Sequence, residues 1–361
     1  MRVGYVLGDL TTGRHSTFPA LVQELEQNSM IEPAVIYTRG DPRKLSPSIE
    51  SIKMGDYPFP PHWHRIENDH ELAVIHLSNI PEWGHLPAFL SDAPVVATAR
   101  GTAHWCEKVP SESGRADTKY RIDFRTRDFF GKVTLDKVFT VSDYVGETLA
   151  DRAGYSRDRL ITTYLGIDSE YYESDRVEPD PGLPDRYVLH VSNRSPIKNV
   201  GTLIDAFSMI ADEFPEYQLV IAGRGWADEL RQRSEMRGLG DRIVFLGHID
   251  MIEELVSLYD GAELYIHPSL HETFGRPTIE AMARGTPVLT SSNCALQEVV
   301  DGCAELIDDP NDACEIARRI SLLLSNPGTL SELSSKGVDR AKKFQFQNYI
   351  KRLYRRYESV I

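Results

Sequence analysis

Two glutamates, Glu272 and Glu280, flank a glycine-bearing turn in HETFGRPTIEAMARGTPV. Pro277 suits a first helical turn because it lacks a backbone N–H, so the spacing predicts a helix that starts after Gly275 and stops at Gly285. The unpaired N–H groups and positive dipole at such a helix start favour a phosphate. A carboxylate in the first turn can accept hydrogen bonds from ribose hydroxyls. The segment therefore predicts a nucleotide site at Glu280, with Glu272 facing the ligand from the loop.

Each feature of this segment also has a simpler interpretation. Glu280 could merely stabilise the positive end of the helix dipole, and Glu272 could be a solvated loop charge. The i, i+3, i+4 spacing predicts Ile279, Met282 and Ala283 on the buried face of the helix. Glu280 is then expected to project from the first turn.

The elements around this segment alternate between short β-branched runs and amphipathic helical patterns in both halves of the chain. This alternation predicts an α/β protein with two parallel-sheet domains, which bind ligands beyond the carboxyl ends of their strands. An acidic, proline-containing stretch, SEYYESDRVEPDPGLPD, separates the halves. We predict an N-terminal domain at 1–170, a linker at 171–185, a C-terminal domain at 186–345 and a final helix at 346–361.

The composition excludes several classes of protein. The 361 residues include 40 Lys and Arg against 54 Asp and Glu, a net charge of −14, so no nucleic-acid partner is expected. The four cysteines form no CxxC pair, which indicates free thiols in a reducing, cytoplasmic compartment. Because no run of about 18 apolar residues occurs, we expect any membrane contact to be peripheral, at the inner membrane face.

Three segments resemble family 4 retaining glycosyltransferases. PSLHETFGRPTIEAMARGTPV resembles the Glu-x7-Glu signature of that family, with Glu272 and Glu280 in register. VLHVSNRSPIKNVGTLIDAF and DKVFTVSDYVGETLADRAGYSRDRLITTYLGID are similar to its other recurrent segments. The resemblance implies a GT-B fold, with two Rossmann-like domains facing a central cleft and the final helix packing back on the N-terminal domain. It also implies a metal-independent hexosyltransferase of EC class 2.4 without a cofactor.

The resemblance further implies the reaction and the roles of the motif residues. A hexose would move, with retention, from a nucleotide diphosphate sugar to a hydroxyl of a glycan or lipid-linked acceptor. The stretch SSNCALQEVV is most similar to mannosyl-transferring members, which favours mannose. Glu272 would hold sugar hydroxyls and Glu280 the ribose, while the backbone at Thr273, Phe274 and Gly275 would meet sugar and phosphate.

Cations and the N-terminal half supply the rest of the expected site. Arg194 and Lys198 follow a strand and would clamp the diphosphate as the sugar leaves, although a solvated basic loop is the alternative. In DLTTGRHSTFP only Gly13 remains of the family's glycine pair, and it would let the backbone approach the diphosphate. Arg100 stands in the register of the family's cleft histidine and would bind acceptor or sugar, with His104 as the alternative.

Three other functions stay open at this point. A GT-B sugar-nucleotide epimerase would need acid and base residues in the first domain, which the sequence does not reveal. A non-catalytic sugar-nucleotide binder would account for Arg100 in place of histidine. A nicotinamide dehydrogenase is the weakest alternative, because Gly223 and Gly225 lack the full GxGxxG pattern.

Two further clusters have ordinary interpretations. His62, His64 and His70 have a loosely metal-like spacing, but a surface loop explains them better, and no metal site is predicted. The segment 115–137 interleaves cations with aromatic residues, which could bind an anionic or lipid-linked acceptor or form a solvated helix with an aromatic core side.

Overall fold

The computed structural model describes residues 1–9, 17–26, 29–39, 41–42, 45–54, 63–79, 91–101, 129, 131–173, 175, 182–225 and 228–361. These residues form two units. The first contains the described residues up to Gly166 together with Phe346–Ile361, and the second contains those of Ile167–Gln345.

Strands and helices alternate along the chain. The strands are β1 (Arg2–Asp9), β2 (Glu32–Arg39), β3 (Glu50–Lys53), β4 (Val74–Leu77), β5 (Val95–Ala99), β6 (Lys137–Thr140), β7 (Leu160–Thr162), β8 (Tyr187–Val191), β9 (Gln218–Ala222), β10 (Ile243–Gly247), β11 (Leu264–His267), β12 (Val288–Ser291) and β13 (Glu305–Ile307). The helices are α1 (Thr17–Glu26), α2 (Trp63–Asp69), α3 (Asp143–Thr148), α4 (Glu170–Glu173), α5 (Val200–Ile210), α6 (Asp228–Met236), α7 (Ile252–Gly261), α8 (Arg276–Ala283), α9 (Leu296–Val300), α10 (Ala313–Leu324), α11 (Pro327–Ala341) and α12 (Phe346–Glu358).

Each unit is built on one parallel sheet. The first has seven strands in the order β3-β2-β1-β4-β5-β6-β7, and the second has six in the order β10-β9-β8-β11-β12-β13. In register, Tyr5 of β1 pairs with Val35 of β2 and His76 of β4, and Leu189 of β8 pairs with Tyr265 of β11. Parallel sheets are covered on both faces, which accounts for the nearly continuous apolar strands in the sequence.

One hydrophobic cluster of the second unit lies between its sheet and the helices on one face. Leu203 and Phe207 of α5 pack with Ile320 of α10 against Leu219 of β9 and Leu264 of β11. The apolar positions of α5 and α10 recur at helical spacing, so each helix presents one continuous face to the strands. This packing holds the sheet rigid beneath the loops at its carboxyl edge.

The last helix belongs to the first unit. Tyr349, Leu353 and Tyr357 are all buried on one face of α12, as their i, i+4, i+8 spacing predicts. The Tyr357 hydroxyl lies 2.6 Å from His76 Nδ1 and 3.0 Å from the Tyr5 hydroxyl. The helix is therefore tied to the middle of the first sheet by polar contacts as well as by apolar packing.

One helix of the first unit is irregular, and one segment of the second unit differs from the sequence-based expectation. The helix capped by Ser142 continues past Thr148 as a π-helical turn, Leu149–Ala153, before Gly154 ends it in the left-handed conformation. The acidic stretch begins with the packed helix α4, whose Tyr171 is buried with its ring 6.0 Å from that of Tyr259. An aromatic side chain that finds a buried partner orders this part of the stretch despite its acidic neighbours.

The cysteines and the lengths of the helices can be compared with the sequence-based expectations. Cys294, Cys303 and Cys314 are free thiols, as predicted, whereas Cys106 lies outside the described residues. Among the described helices, none combines the length and the apolar character needed to cross a membrane.

Candidate functional site

The turn between β11 and α8 has the geometry that its glycine implies. Gly275 adopts φ 81° and precedes the first residue of the helix, and a Cβ there would lie 2.6 Å from Leu296 Cδ2. Only glycine meets both conditions without strain. Pro277 lies in the first turn, and Gly285, at φ 76°, follows the helix end, so the predicted helix is confirmed.

The burial of α8 departs from prediction at two positions. Ile279 and Met282 are fully buried as expected, but Ala283 is only half-buried. Glu280, expected to project, is instead buried, with 8% of its surface exposed. The reason is that Thr278 and Ala281 are buried as well, so the second unit encloses this short helix on more than one side.

Glu272 lies in the loop after β11, and its carboxylate contacts two side chains, those of Lys198 and His267. Its Oε1 accepts a hydrogen bond from Lys198 Nζ and lies 2.8 Å from His267 Nε2. Among the described residues, no group donates to Oε2. Burial opposes the ionisation of Glu272, but Lys198 and His267 outweigh it and hold the pKa of the carboxyl well below its usual range. Glu272 is therefore an anion with one oxygen left to accept hydrogen bonds.

Lys198 reaches Glu272 because hydrogen bonds join two loops at the same edge of the sheet. The backbone N–H of Leu270 donates to the carbonyl of Ile197 over 2.7 Å, and the Ser269 hydroxyl donates to the same oxygen over 2.8 Å. These bonds join the loop after β8 to the loop after β11, which are neighbouring strands. The structure thus brings together Lys198 and Glu272, two residues that the sequence places 74 positions apart.

Glu280 lies in α8 beyond the first turn, not within that turn as expected, and belongs to a second polar cluster. The Tyr259 hydroxyl donates to Glu280 Oε2 over 3.1 Å, and Arg276 Nε lies 3.6 Å from Oε1. Arg276 Nη2 in turn donates to Asp168 Oδ2 over 2.9 Å. Burial raises the pKa of Glu280, and Arg276 opposes this only in part. An ionised carboxylate offers about four acceptor positions, and the Tyr259 hydroxyl occupies one of them.

Several members of these clusters were not predicted from the sequence. Arg276 stands four residues before Glu280, and the i, i+4 pairing of opposite charges is a signal that could have identified it. His267, Tyr259 and Asp168 carry no comparable signal. His267 and Tyr259 contact the glutamates, and Asp168 contacts Arg276, only through the packing of the second unit. Their contribution could be found only in three dimensions.

The other predicted residues of the second unit have diverse surroundings. Arg194 is half exposed, with its Nη2 3.5 Å from Glu229 Oε2, and no described contact joins it to Lys198 or Glu272. The Phe274 side chain is buried, its ring 5.7 Å from that of Phe344, so only its backbone could meet a ligand. Thr273 lies in the same loop and is half-buried.

In the first unit, Arg100 follows β5 at the carboxyl edge of the sheet. Its Nε and Nη2 donate to the carbonyl oxygen of Ser78, which follows β4, over 3.2 and 2.9 Å. The guanidinium therefore bridges the ends of two neighbouring strands. Gly13 and His104 lie outside the described residues, as does most of the segment 115–137.

The histidines considered as metal ligands do not cluster with one another where they are described. His64 Nδ1 lies 3.8 Å from Glu67 and 3.6 Å from Asp92, whereas His70 Nδ1 lies 2.9 Å from Glu50. Glu67 already accepts hydrogen bonds from Ser91 Oγ and from the backbone N–H groups of the two residues that follow Ser91. His62 lies outside the described residues.

Known proteins share this architecture and part of this sequence. The solved structure of a glycosyltransferase from Rickettsia africae superposes with a TM-score of 0.80 over 99% of this chain and 98% of that one, at 16% identity. The chain has the GT-B fold. The predicted pair of Rossmann-like, parallel-sheet domains is thereby confirmed.

The family match lies within the second unit. Residues 173–344 match the family described as "Glycosyl transferases group 1". O-antigen chain mannosyltransferase B of Escherichia coli is 33% identical over 220 residues, 58% of this chain and 57% of that protein. The GDP-mannose-dependent alpha-(1-6)-phosphatidylinositol dimannoside mannosyltransferase of Mycobacterium tuberculosis is 30% identical over 201 residues, 52% and 51% of the two chains. The chain thus spans a little over half the length of these relatives.

Proposed function

We propose that this protein is a retaining, metal-independent glycosyltransferase. It transfers a hexose from a nucleotide diphosphate sugar to a hydroxyl of a glycan or lipid-linked acceptor. The observation that carries the proposal is the pair of buried glutamates on either side of the Gly275 turn, with Lys198 on Glu272 and Arg276 beside Glu280. The family match of residues 173–344 and the mannosyltransferase relatives support it.

The donor sugar is bound by Glu272. Its Oε1 is engaged by Lys198 and His267, so Oε2 accepts the sugar hydroxyls. Because the carboxyl stays ionised, it acts as an acceptor and never competes as a donor. Hydrogen bonds to a charged acceptor are the stronger kind, and they fix the orientation of the sugar ring.

The nucleotide is bound at the start of α8. Glu280 accepts the two ribose hydroxyls on lone pairs that Tyr259 and Arg276 leave free. The backbone from Thr273 to Gly275 meets the sugar and phosphate, and the helix dipole favours the diphosphate charge. Lys198, which uses one of three N–H donors on Glu272, offers the others to the distal phosphate.

Transfer with retention follows from a front-face displacement. The bond between C1 of the sugar and the distal phosphate oxygen breaks while the acceptor oxygen bonds to C1 on the same face. The acceptor proton passes to the departing phosphate oxygen, and no enzymic nucleophile is assigned. Lys198 and Arg194 stabilise the charge that builds on the phosphate, which is the role a metal ion has in other transferases. Arg100, at the carboxyl edge of the first sheet, contacts the acceptor or the sugar.

Mannose is the favoured hexose. Both curated relatives described above are named as mannosyltransferases, and one is named as dependent on GDP-mannose. The donor in the proposed reaction is therefore GDP-mannose.

A panel of nucleotide sugars tests the proposal. We expect GDP-mannose to raise the melting temperature more than UDP-glucose, and we expect the anomeric NMR signal of a transferred mannose to keep the donor's configuration. Glu272→Gln should abolish transfer, whereas Glu332→Gln, which changes an exposed glutamate of α11, should not. EDTA should leave the rate unchanged. Inversion at C1, isomerisation of the donor without an acceptor, or loss of activity with EDTA would each contradict the corresponding part of the proposal.

A further inference from the structure

Two fully buried histidines lie side by side beneath the Glu272 loop. His190 of β8 and His267 at the end of β11 stack with ring centroids 5.7 Å apart. Burying an imidazole costs free energy unless its ring nitrogens are hydrogen-bonded. His190 meets this condition with the carbonyl of Ile266 and the hydroxyl of Ser192, both at 2.8 Å. For His267, one of the two ring nitrogens is hydrogen-bonded to Glu272.

The charge of Glu272 determines the direction of the hydrogen bonds around His267. An ionised carboxylate only accepts, so His267 Nε2 carries the proton and donates to Glu272 Oε1 over 2.8 Å. Burial lowers the pKa of His267, which keeps the ring neutral, and Nδ1 is then an acceptor. The Tyr265 hydroxyl, 2.9 Å away, must donate to it. The same hydroxyl donates over 3.2 Å to the carbonyl of Val191, so its proton is shared between the two acceptors.

We propose that Tyr265 and His267 form a positioning relay that fixes the Glu272 carboxylate for the donor sugar. This inference rests on the proposed function. The relay and Lys198 converge on the same oxygen, Oε1, so the carboxylate cannot turn without breaking both contacts. Oε2 is thereby kept for the sugar hydroxyls. A relay that acts through Glu272 affects ligands that carry the sugar and leaves the bare nucleotide untouched.

Paired measurements on nucleotide and nucleotide sugar test the relay. Calorimetry gives the affinities of GDP-mannose and GDP, with UDP-glucose and UDP run in parallel. We expect His267→Leu to weaken nucleotide-sugar binding about 10- to 100-fold, the range for losing a hydrogen bond to a charged group, and to leave nucleoside diphosphate binding within about twofold. His267→Gln, which retains an N–H donor, should recover most of the loss.

A matched control separates positioning from packing. His190→Leu removes an equally buried imidazole from the neighbouring strand, but His190 has no hydrogen bond to Glu272. It should lower the melting temperature without changing the ratio of the two affinities. If His267→Leu does not fold, Tyr265→Phe provides the same test, because it removes the donor to His267 Nδ1. We expect Tyr265→Phe to reduce the ratio of nucleotide-sugar affinity to nucleoside diphosphate affinity by a smaller factor than His267→Leu does.

A spectroscopic measurement tests the relay without activity. In imidazole ¹H–¹⁵N spectra at neutral pH, His267 should show a protonated Nε2 and an unprotonated Nδ1, with His267→Gln giving the assignment. A protonated Nδ1, a cationic ring, or equal losses for GDP and GDP-mannose in His267→Leu would overturn the relay alone. A wild-type protein that binds neither of these nucleotide sugars would overturn the proposed function and the sugar-positioning role with it.

Discussion

The hydroxyl of Tyr357, on the last helix, lies 2.6 Å from Nδ1 of His76 in the middle of the first sheet. Both residues are fully buried, and Nε2 of His76 lies 2.7 Å from the Thr98 hydroxyl. Tyr5 completes the cluster through its hydroxyl, 3.0 Å from that of Tyr357. The polar atoms of this cluster satisfy one another inside the apolar core, so the loss of one leaves others unpaired.

Tyr357→Phe should therefore destabilise the first unit. The change leaves His76 Nδ1 without its partner, and we expect a loss of about 1 to 3 kcal/mol in unfolding free energy. Urea unfolding monitored by tryptophan fluorescence and circular dichroism gives this value. Tyr354→Phe on the same helix is the control, since Tyr354 is not among the buried residues of α12. Equal stability of the two variants would mean that the hydrogen bonds to Tyr357 contribute nothing.

His76 should make the protein sensitive to acid. Burial, with a smaller effect of Arg100, lowers the pKa of His76 to about 3 in the folded state, against an ordinary value of 6.5. Between these two pH values His76 is protonated in the unfolded chain but not in the folded chain. The free energy of unfolding therefore falls as the pH falls from 6.5 towards 3. The slope is about 1.4 kcal/mol per pH unit for each such group. His190, whose pKa burial also lowers to about 3, adds to it.

The measurement is the unfolding free energy as a function of pH. Between the two pKa values of His76, His76→Gln should reduce the slope of unfolding free energy against pH by the contribution of about one proton. This holds even if the variant is less stable at every pH. A slope equal to that of the wild type would show that His76 is not the group that titrates on unfolding.

Glu280→Ala should weaken nucleotide binding. The ribose hydroxyls lose a charged acceptor worth about 1.5 to 3 kcal/mol, and calorimetry with GDP measures the loss. Glu315→Ala is the matched control, because Glu315 is another helical glutamate of the second unit with little exposed surface. If GDP binds a folded Glu280→Ala variant as tightly as the wild type, Glu280 serves only the helix.

Lys198→Ala should affect turnover more than binding of GMP, because its partner is the distal phosphate that gains charge as the glycosidic bond breaks. Lys198 also holds down the pKa of Glu272, so its removal should raise that pKa and move the acid limb of the kcat/KM profile to higher pH. Lys198→Arg keeps the charge and should leave the limb near its wild-type position. An equal loss of GMP affinity and turnover would remove Lys198 from the leaving-group role.

Arg100→Ala should lower the transfer rate while GDP affinity stays near the wild-type value. The nucleotide is proposed to bind the other unit, so the two effects should separate. Because Arg100 also bridges the ends of β4 and β5 through the Ser78 carbonyl, melting temperature must be measured on the same preparation. If the rate falls only as much as the loss of stability explains, Arg100 has a structural role. His104 is then the residue expected to bind the acceptor or the sugar.

Local patterns in the sequence were enough to predict much of this molecule. The alternation of strands and helices, the turn at Gly275, the end of α8 near Gly285 and the buried face of α12 depend on residues within a few positions of one another. Periodicity, capping and glycine geometry act over that range, so one sequence is sufficient to identify them.

The contacts that define the site depend on the order of strands in the second sheet. Because β8 and β11 are neighbours, the loops after them meet, and Lys198 lies on Glu272. The burial of Glu280 and its contacts with Arg276 and Tyr259 likewise arise from packing around a short helix. The sequence by itself determined which chemical groups the two loops carry. Only the tertiary structure decided which of them touch, because hydrogen bonds between side chains are set by distances of about 3 Å that no spacing along the chain specifies.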